Sequence, residues 1–91
     1  MRVKYFAAYR DATGRKDEDV LAPATVGTLL QGLAERYGAG VRTRLLAPGL
    51  DGLGPDAIVL VNGRNIVHLD MLETPLSEAD TVSIFPIVAG G

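Results

Sequence analysis

The sequence predicts an α+β fold in which one main helix packs on one face of a mixed sheet of four to five strands. A run with helical periodicity covers residues 26–37, and short segments with strand-like alternation lie on both sides of it. The chain has 91 residues, a length that fits one small domain with a single core. We expect one domain over residues 1–91, with residues 86–91 as a protruding C-terminal tail.

The first strand is expected at residues 2–8, because apolar and polar side chains alternate there. Val3, Tyr5 and Ala7 would face the core, and Phe6 would point to the opposite face. Phe6 is therefore a candidate surface aromatic.

A hairpin should follow the first strand. Residues 11–14 have the composition of a turn, and residues 17–21 would return as the second strand. The charged run at residues 16–19 is expected to be a solvated strand or turn.

The main helix is expected to begin after Thr25, which suits the N-cap position, and to end at Gly38. Packing of one apolar face supplies most of the stability of such a helix. The apolar residues at helical spacing are Val26, Leu29, Leu30, Leu33, Ala34 and Tyr37.

After the helix, residues 40–56 mix glycines, prolines and leucines. They predict a long packed loop, with one helical turn near residues 42–47. Residues 57–61 predict a buried strand. The dipeptide Asn62-Gly63 predicts a type I′ hairpin turn, from which residues 64–67 would return as a strand.

The last strand is expected at residues 81–85, after a connection that contains Pro75 and a turn at residues 78–80. Two strands, a helix and then further strands on one sheet form the β-grasp pattern, an α+β two-layer sandwich. In it the first and last strands lie side by side and parallel at the centre.

Two aromatic residues would then share the open face of the sheet. Val82 and Ile84 would face the helix, so Phe85 points away from it, as Phe6 does. Aromatic residues on a sheet face without a second layer indicate an interaction patch. The alternative is that loop side chains cover the two rings, and the candidates are Leu45, Leu50 and Met71.

Composition excludes several classes of function. The formal net charge is −2 and no basic block occurs, so nucleic acid is not an expected partner. The absence of cysteine excludes disulfides, zinc–thiolate sites, iron–sulfur clusters and a thiol nucleophile. The sequence shows no convergent acid–base pair and no cluster of metal ligands. Neither an independent catalytic site nor a metal site is therefore expected. No signal peptide or membrane span is expected, which favours a cytoplasmic protein without a membrane partner.

The final segment, IFPIVAGG, indicates chemistry at the terminus. A C-terminal carboxylate is ionised at neutral pH and is a poor electrophile, so it needs activation before it accepts sulfur or acylates an amine. Adenylation by ATP would provide this. Gly90 and Gly91 lack a Cβ and would pass through a narrow channel to the α-phosphate, while Pro86 fixes the direction in which the chain leaves the sheet.

Three segments resemble the small β-grasp sulfur carriers of the MoaD/ThiS type, and most of all the MoaD branch. They are the helix TVGTLLQGLAERYG, the strand–turn–strand VLVNGRNI and the ending LETPLSEADTVSIFPIVAGG. The terminal Gly-Gly after Phe-Pro-x-Val is the specific part, although Ile87 stands where family members commonly carry proline. Residues 40–56 resemble archaeal-type and thermophile-type relatives, some of which act as protein modifiers.

The resemblance implies a sulfur carrier in molybdopterin (molybdenum or tungsten cofactor) biosynthesis. An E1-like, MoeB-like enzyme would use ATP to adenylate Gly91, which would then carry sulfur covalently as a thiocarboxylate. The large, MoaE-like subunit of molybdopterin synthase would bind the carrier while sulfur passes to a pterin precursor. No cofactor would be bound permanently. The expected catalytic residues are Gly91 and Gly90, and the expected partner-binding residues are Phe6, Arg64, Phe85, Pro86, Ile87, Val88 and Ala89.

Other functions stay open. The same chemistry would serve another pathway, such as thiazole synthesis, or a ubiquitin-like modifier joined through Gly91 to a substrate lysine. A β-grasp binding module whose tail is incidental is the alternative from a different class.

Overall fold

The computed structural model describes residues 1–47, 52–54 and 56–87. Five strands form one sheet in the order β2-β1-β5-β3-β4. The strands are β1 (Arg2–Tyr5), β2 (Asp17–Asp19), β3 (Ile58–Val61), β4 (Arg64–Asn65) and β5 (Thr81–Phe85). The helices are α1 (Ala8–Thr13), α2 (Val26–Tyr37) and α3 (Ala39–Leu45), and two 3-10 turns cover Ile66–His68 and Met71–Glu73. This is the β-grasp arrangement that the sequence predicts.

The two central strands, β1 and β5, are parallel, as predicted, and their register joins Arg2 to Thr81 and Tyr5 to Ile84. On its other side β5 pairs antiparallel with β3. Alternation places every second side chain of a strand on the helix-covered face. The inward residues of the two central strands are almost fully buried: Val3, Tyr5, Val82 and Ile84.

Helix α2 confirms the predicted bounds. The Thr25 side chain accepts a hydrogen bond from the Thr28 backbone N–H at 3.3 Å, which satisfies one of the free donors in the first turn. The helix ends at Gly38. Five of the six predicted apolar positions are buried, namely Val26, Leu29, Leu30, Leu33 and Ala34, and Tyr37 is partly buried.

The prediction of a simple turn after β1 is wrong, because residues 8–13 form α1. Ala7 was expected in the core, but it is exposed and has a positive φ of 52°. The chain leaves the sheet at this point and turns into the helix. Tyr9 is the residue that this helix buries, with an exposed fraction of 0%. The short helix thus covers the end of the core that Ala7 was expected to fill.

The region between α2 and β3 also differs from the prediction. The expected helical turn is a seven-residue helix, α3, while residues 48–51 and 55 of the predicted loop lie outside the described residues. Asn62 and Gly63 both have positive φ, as a type I′ turn requires. The returning strand β4 has only two residues, because Ile66 leaves the ladder to become fully buried.

Glu18 contradicts the prediction that its charged run is solvated. Its exposed fraction is 7%. Its carboxylate accepts hydrogen bonds from the Tyr5 hydroxyl at 2.6 Å, from the Arg36 guanidinium at 2.6 Å and from the Tyr37 hydroxyl. Burial alone would raise the pKa of Glu18, but the two hydroxyls and the Arg36 charge outweigh it and lower that pKa. Glu18 therefore joins the edge strand β2 to the end of α2 as an ionised group.

Candidate functional site

The site is built on the aromatic pair, Phe6 and Phe85, which the sequence placed on the open face. The two rings are stacked, with centroids 4.1 Å apart and planes inclined by 8°. They meet because β1 and β5 are neighbours, and the Phe6 backbone N–H continues their ladder by donating to the Ile84 carbonyl at 3.1 Å. The Arg10 guanidinium carbon lies 5.9 Å from the centroid of Phe6, within the range of a cation–π contact.

Both rings of the aromatic pair keep part of their surface exposed. Of the residues considered as a cover for them, Leu45 is instead a buried member of the main core, and Met71 is 39% exposed. Leu50 lies outside the described residues. The aromatic pair therefore presents a flat, partly accessible apolar surface beside the point where the chain leaves the sheet.

We call Pro86 and Ile87 the tail root, because they are the last described residues after β5. Pro86 is partly buried and Ile87 is 52% exposed. The Ile87 backbone N–H donates to Asp56 Oδ1 at 2.9 Å. The second oxygen of that carboxylate, Oδ2, accepts from Arg44 Nη1 at 2.5 Å, and the Asp56 carbonyl accepts from the Tyr9 hydroxyl. The sequence did not point to any of these three partners.

The remaining predicted tail residues are not placed by the structure. Val88, Ala89, Gly90 and Gly91 lie outside the described residues. Their predicted roles in activation and partner binding stay predictions.

Arg64 lies apart from the aromatic pair. It is exposed and pairs with Val61 at one end of β3, whereas Phe85 pairs with Ile58 at the other end. Three residues along a strand span roughly 10 Å, and Arg64 is also one strand further from the centre. The structure therefore does not bring Arg64 together with Phe6 and Phe85.

Other kinds of site have little support in the described ranges. Residues 1–47, 52–54 and 56–87 contain no group of three acidic or histidine side chains suited to a metal ion. Within the same ranges, none of the helices has the length and apolar character needed to cross a membrane.

Comparison with known proteins gives a consistent result over nearly the whole chain. The model of the ThiS family matches residues 3–91. Small archaeal modifier protein 3 of Haloferax volcanii is 40% identical over 97 aligned positions, which cover 100% of this chain and 98% of that protein. The solution structure of small archaeal modifier protein 1 from Methanosarcina acetivorans is 33% identical with a TM-score of 0.84, and covers 99% of this chain and 94% of its own.

A complex provides a further structural match. A chain in the crystal structure of the Amycolatopsis orientalis BexX/CysO complex is 32% identical with a TM-score of 0.79. The alignment covers 99% of this chain and 98% of that one. The similarity thus extends over nearly the whole of both chains.

Proposed function

Because the chain belongs to the ThiS family of ubiquitin-like β-grasp carriers, we propose that its Gly91 carboxylate is adenylated by an E1-like enzyme and then carries sulfur as a thiocarboxylate. The family match that runs to residue 91 is the observation that carries this proposal. The aromatic pair adds a docking surface next to the tail root. The ATP belongs to the activating enzyme, and the carrier itself needs no bound cofactor.

The proposed reaction has two steps. The Gly91 carboxylate attacks the α-phosphate of ATP, so that pyrophosphate leaves and a mixed anhydride with AMP forms. A hydrosulfide equivalent from a donor enzyme then attacks the Gly91 carbonyl carbon. A C–S bond forms, the C–O bond to AMP breaks, and a thiocarboxylate remains without any change in oxidation state. Gly90 and Gly91 place no side chain against either reactant.

For the fate of the sulfur, we propose transfer to a pterin precursor bound by a MoaE-like large subunit of molybdopterin synthase. The thiocarboxylate sulfur attacks an activated carbon of the precursor, so that a C–S bond forms and the C–O bond to an oxygen leaving group on that carbon breaks. Water then cleaves the bond between the Gly91 carbonyl carbon and the sulfur, which leaves the sulfur on the precursor and returns the Gly91 carboxylate. Copurification with a MoaE-like subunit supports this acceptor, whereas copurification with an enzyme of thiazole synthesis alone would contradict it. We propose that this reaction takes place in the cytoplasm, where ATP is available.

The activation step is tested by intact-mass measurement after incubation with the cognate E1-like enzyme, ATP and a sulfur donor. We expect the mass increase of one sulfur replacing one oxygen, located at Gly91 by fragmentation. A variant with one residue appended after Gly91 is the matched control, because its carboxylate lies one residue beyond the reach of the channel. Adenylation of that variant, or persistent absence of modified wild-type protein, would contradict the proposal.

A second candidate function is protein modification, and the 40% identity to small archaeal modifier protein 3 over the whole chain favours it. Here a substrate lysine amine attacks the activated Gly91 carbonyl, an amide bond forms, and AMP or sulfide leaves. Enrichment of the protein from cells, followed by proteolysis with an enzyme that cleaves after alanine, should find Gly-Gly remnants on lysines of other proteins. Trypsin would not produce them, because the chain has no lysine or arginine after Arg64. Their complete absence alongside a detectable thiocarboxylate would leave sulfur transfer as the sole function.

The docking surface is tested by Phe6→Asp and Phe85→Asp. Each places a charge in the aromatic pair and should abolish binding of the E1-like enzyme, because the partner would have to bury that charge. Leu21→Asp is the matched control. Leu21 is 87% exposed and lies between β2 and α2, away from the aromatic pair. If either phenylalanine variant unfolds, the ring belongs to the core. If both bind normally, the partner docks elsewhere.

A further inference from the structure

The tail root is held by a hydrogen bond to the Asp56 side chain, at a position where the strand register would predict a backbone hydrogen bond. Ile58 pairs with Phe85 in the β3–β5 ladder. Two residues further out on each strand, the same register places Asp56 opposite Ile87. Hydrogen-bonded pairs recur at every second residue of an antiparallel ladder. The Asp56 carbonyl is engaged by the Tyr9 hydroxyl, however, and the Ile87 N–H donates to the Asp56 carboxylate instead.

The opposite end of the same strand pair uses a similar device. There the Asn62 N–H donates to the Thr81 carbonyl at 2.8 Å, and the Thr81 N–H donates to the Asn62 side-chain oxygen at 2.9 Å. Side-chain oxygens therefore close the ladder at both ends. The difference is that Asp56 is ionisable and is itself held by an arginine, whereas Asn62 closes an ordinary hairpin.

The position of Asp56 is fixed by the close approach of its segment to α3. The Gly54 N–H donates to the Leu45 carbonyl at 2.7 Å. A Cβ on Gly54 would lie 2.3 Å from the Arg44 carbonyl oxygen, so only glycine fits there. This contact brings Asp56 within 2.5 Å of the Arg44 guanidinium, and Arg44 orients the carboxylate toward Ile87.

We propose that Asp56, oriented by Arg44, is a positioning residue that clamps the tail root at Ile87 and so confines the reacting end during activation. We call this arrangement the tail clamp. With Ile87 held, residues 88–91 extend at most about 14 Å from it. Without the clamp, residues 86–91 extend from Phe85 by up to about 21 Å. The volume open to the Gly91 carboxylate then grows about threefold, and its effective concentration at the activating site falls in proportion.

This inference rests on the proposed adenylation of Gly91, and it is tested at two levels with the full-length chain. The first is hydrogen exchange of the Ile87 amide by NMR, with the Ser83 amide of β5 as an internal reference. Asp56→Ala should speed Ile87 exchange by about tenfold or more, because a hydrogen bond to a charged acceptor is lost. The Asp56 backbone carbonyl stays available to Tyr9 in the variant.

The second level is the steady-state kinetics of adenylation by an E1-like enzyme that activates the wild-type chain. Asp56→Ala should raise the KM for the carrier about threefold and leave kcat unchanged, because the chemistry at Gly91 is untouched. Asp56→Asn keeps an oxygen acceptor and should recover part of the loss. The KM of Arg44→Gln should lie between the KM values of Asp56→Asn and wild type. Asp11→Asn, at an exposed carboxylate of α1, is the control and should behave as wild type.

The outcomes separate the clamp from the proposed function. An Ile87 amide that exchanges as fast as an unbonded one in wild type overturns the clamp, whatever the enzyme does. Faster exchange in Asp56→Ala with an unchanged KM overturns its role in positioning. Failure of every E1-like enzyme to adenylate wild type refutes the proposed function instead, and the exchange result then decides the clamp alone.

Discussion

Glu18 and Asp56 are both carboxylates paired with an arginine and placed near tyrosine hydroxyls, yet they differ in burial and in what they hold. The Glu18 side chain is 6% exposed, and its carboxylate ties the edge strand to α2. The Asp56 side chain is 30% exposed and holds the tail root. Removing a buried carboxylate leaves the groups that donate to it without an acceptor, whereas water can replace a carboxylate that is partly exposed. The first pair should therefore support stability and the second should direct a chain end.

The largest effect is expected for Glu18→Ala. It removes the acceptor shared by Tyr5, Tyr37 and Arg36, and we expect the free energy of unfolding to fall by about 3 kcal/mol. Glu18→Gln keeps an oxygen acceptor and should lose roughly 1–2 kcal/mol. Urea denaturation measures both. If Glu18→Ala is as stable as wild type, the cluster is not a structural tie and the contrast with Asp56 fails.

The second effect is a loss of stability in acid. The folded pKa of Glu18 lies below its unfolded value, so the stabilisation is complete above about pH 5 and is lost as the pH falls through the folded pKa. Glu18→Gln cannot titrate there and should show a smaller decrease in unfolding free energy between about pH 5 and pH 3. Asp17→Asn is the neighbouring control. If the unfolding free energies of wild type and Glu18→Gln decrease equally with pH, Glu18 is not ionised in the folded state.

The third effect concerns the stability contribution of Asp56, the more exposed of the two carboxylates. Asp56→Ala removes a partly exposed ion pair and one hydrogen bond, and should lower the free energy of unfolding by only about 1 kcal/mol. Its main consequence should appear in the kinetics of activation. A stability loss as large as that of Glu18→Ala would show that Asp56 is a second structural tie.

The smallest effect is expected at a third carboxylate cluster, which is fully on the surface. Arg2 lies 2.8 Å from Asp17 and 3.4 Å from Asp19, and all three side chains are well exposed. Arg2→Gln should change the unfolding free energy by about 0.5 kcal/mol or less, with no change in adenylation kinetics. A larger loss of stability would mean that exposure is a poor guide to the importance of these pairs.

The central part of the fold could be predicted because it depends on local patterns. Alternation in β1 and β5 identified the buried residues, and the β-grasp order made the two strands neighbours. The contact between Phe6 and Phe85 followed from that pairing. Helix α2 was predicted because the spacing of its apolar residues and the capping residue Thr25 indicate the same helix start.

The differences arise where tertiary contacts override local patterns. Residues 11–14 have turn composition, but the burial of Tyr9 stabilises α1 through contacts that no short window contains. Glu18 belongs to a charged run that is typical of a solvated strand, and only the approach of Tyr37 and Arg36 makes its burial favourable. The contact of Asp56 with Ile87 could have followed from extending the β3–β5 register, but the sequence predicted the strand at residues 57–61 without predicting which of its residues pair with β5.

The parallel pairing of β1 with β5 has a consequence for biosynthesis. Its partner residues lie 79 positions apart in the chain, so the central ladder is a contact of very high sequence separation, which makes folding slow. During translation the sheet cannot close until residue 85 has left the ribosome. A prematurely terminated chain that lacks β5 is left without the middle of its sheet. Molecules that reach the folded state have therefore been synthesised at least as far as the end of β5.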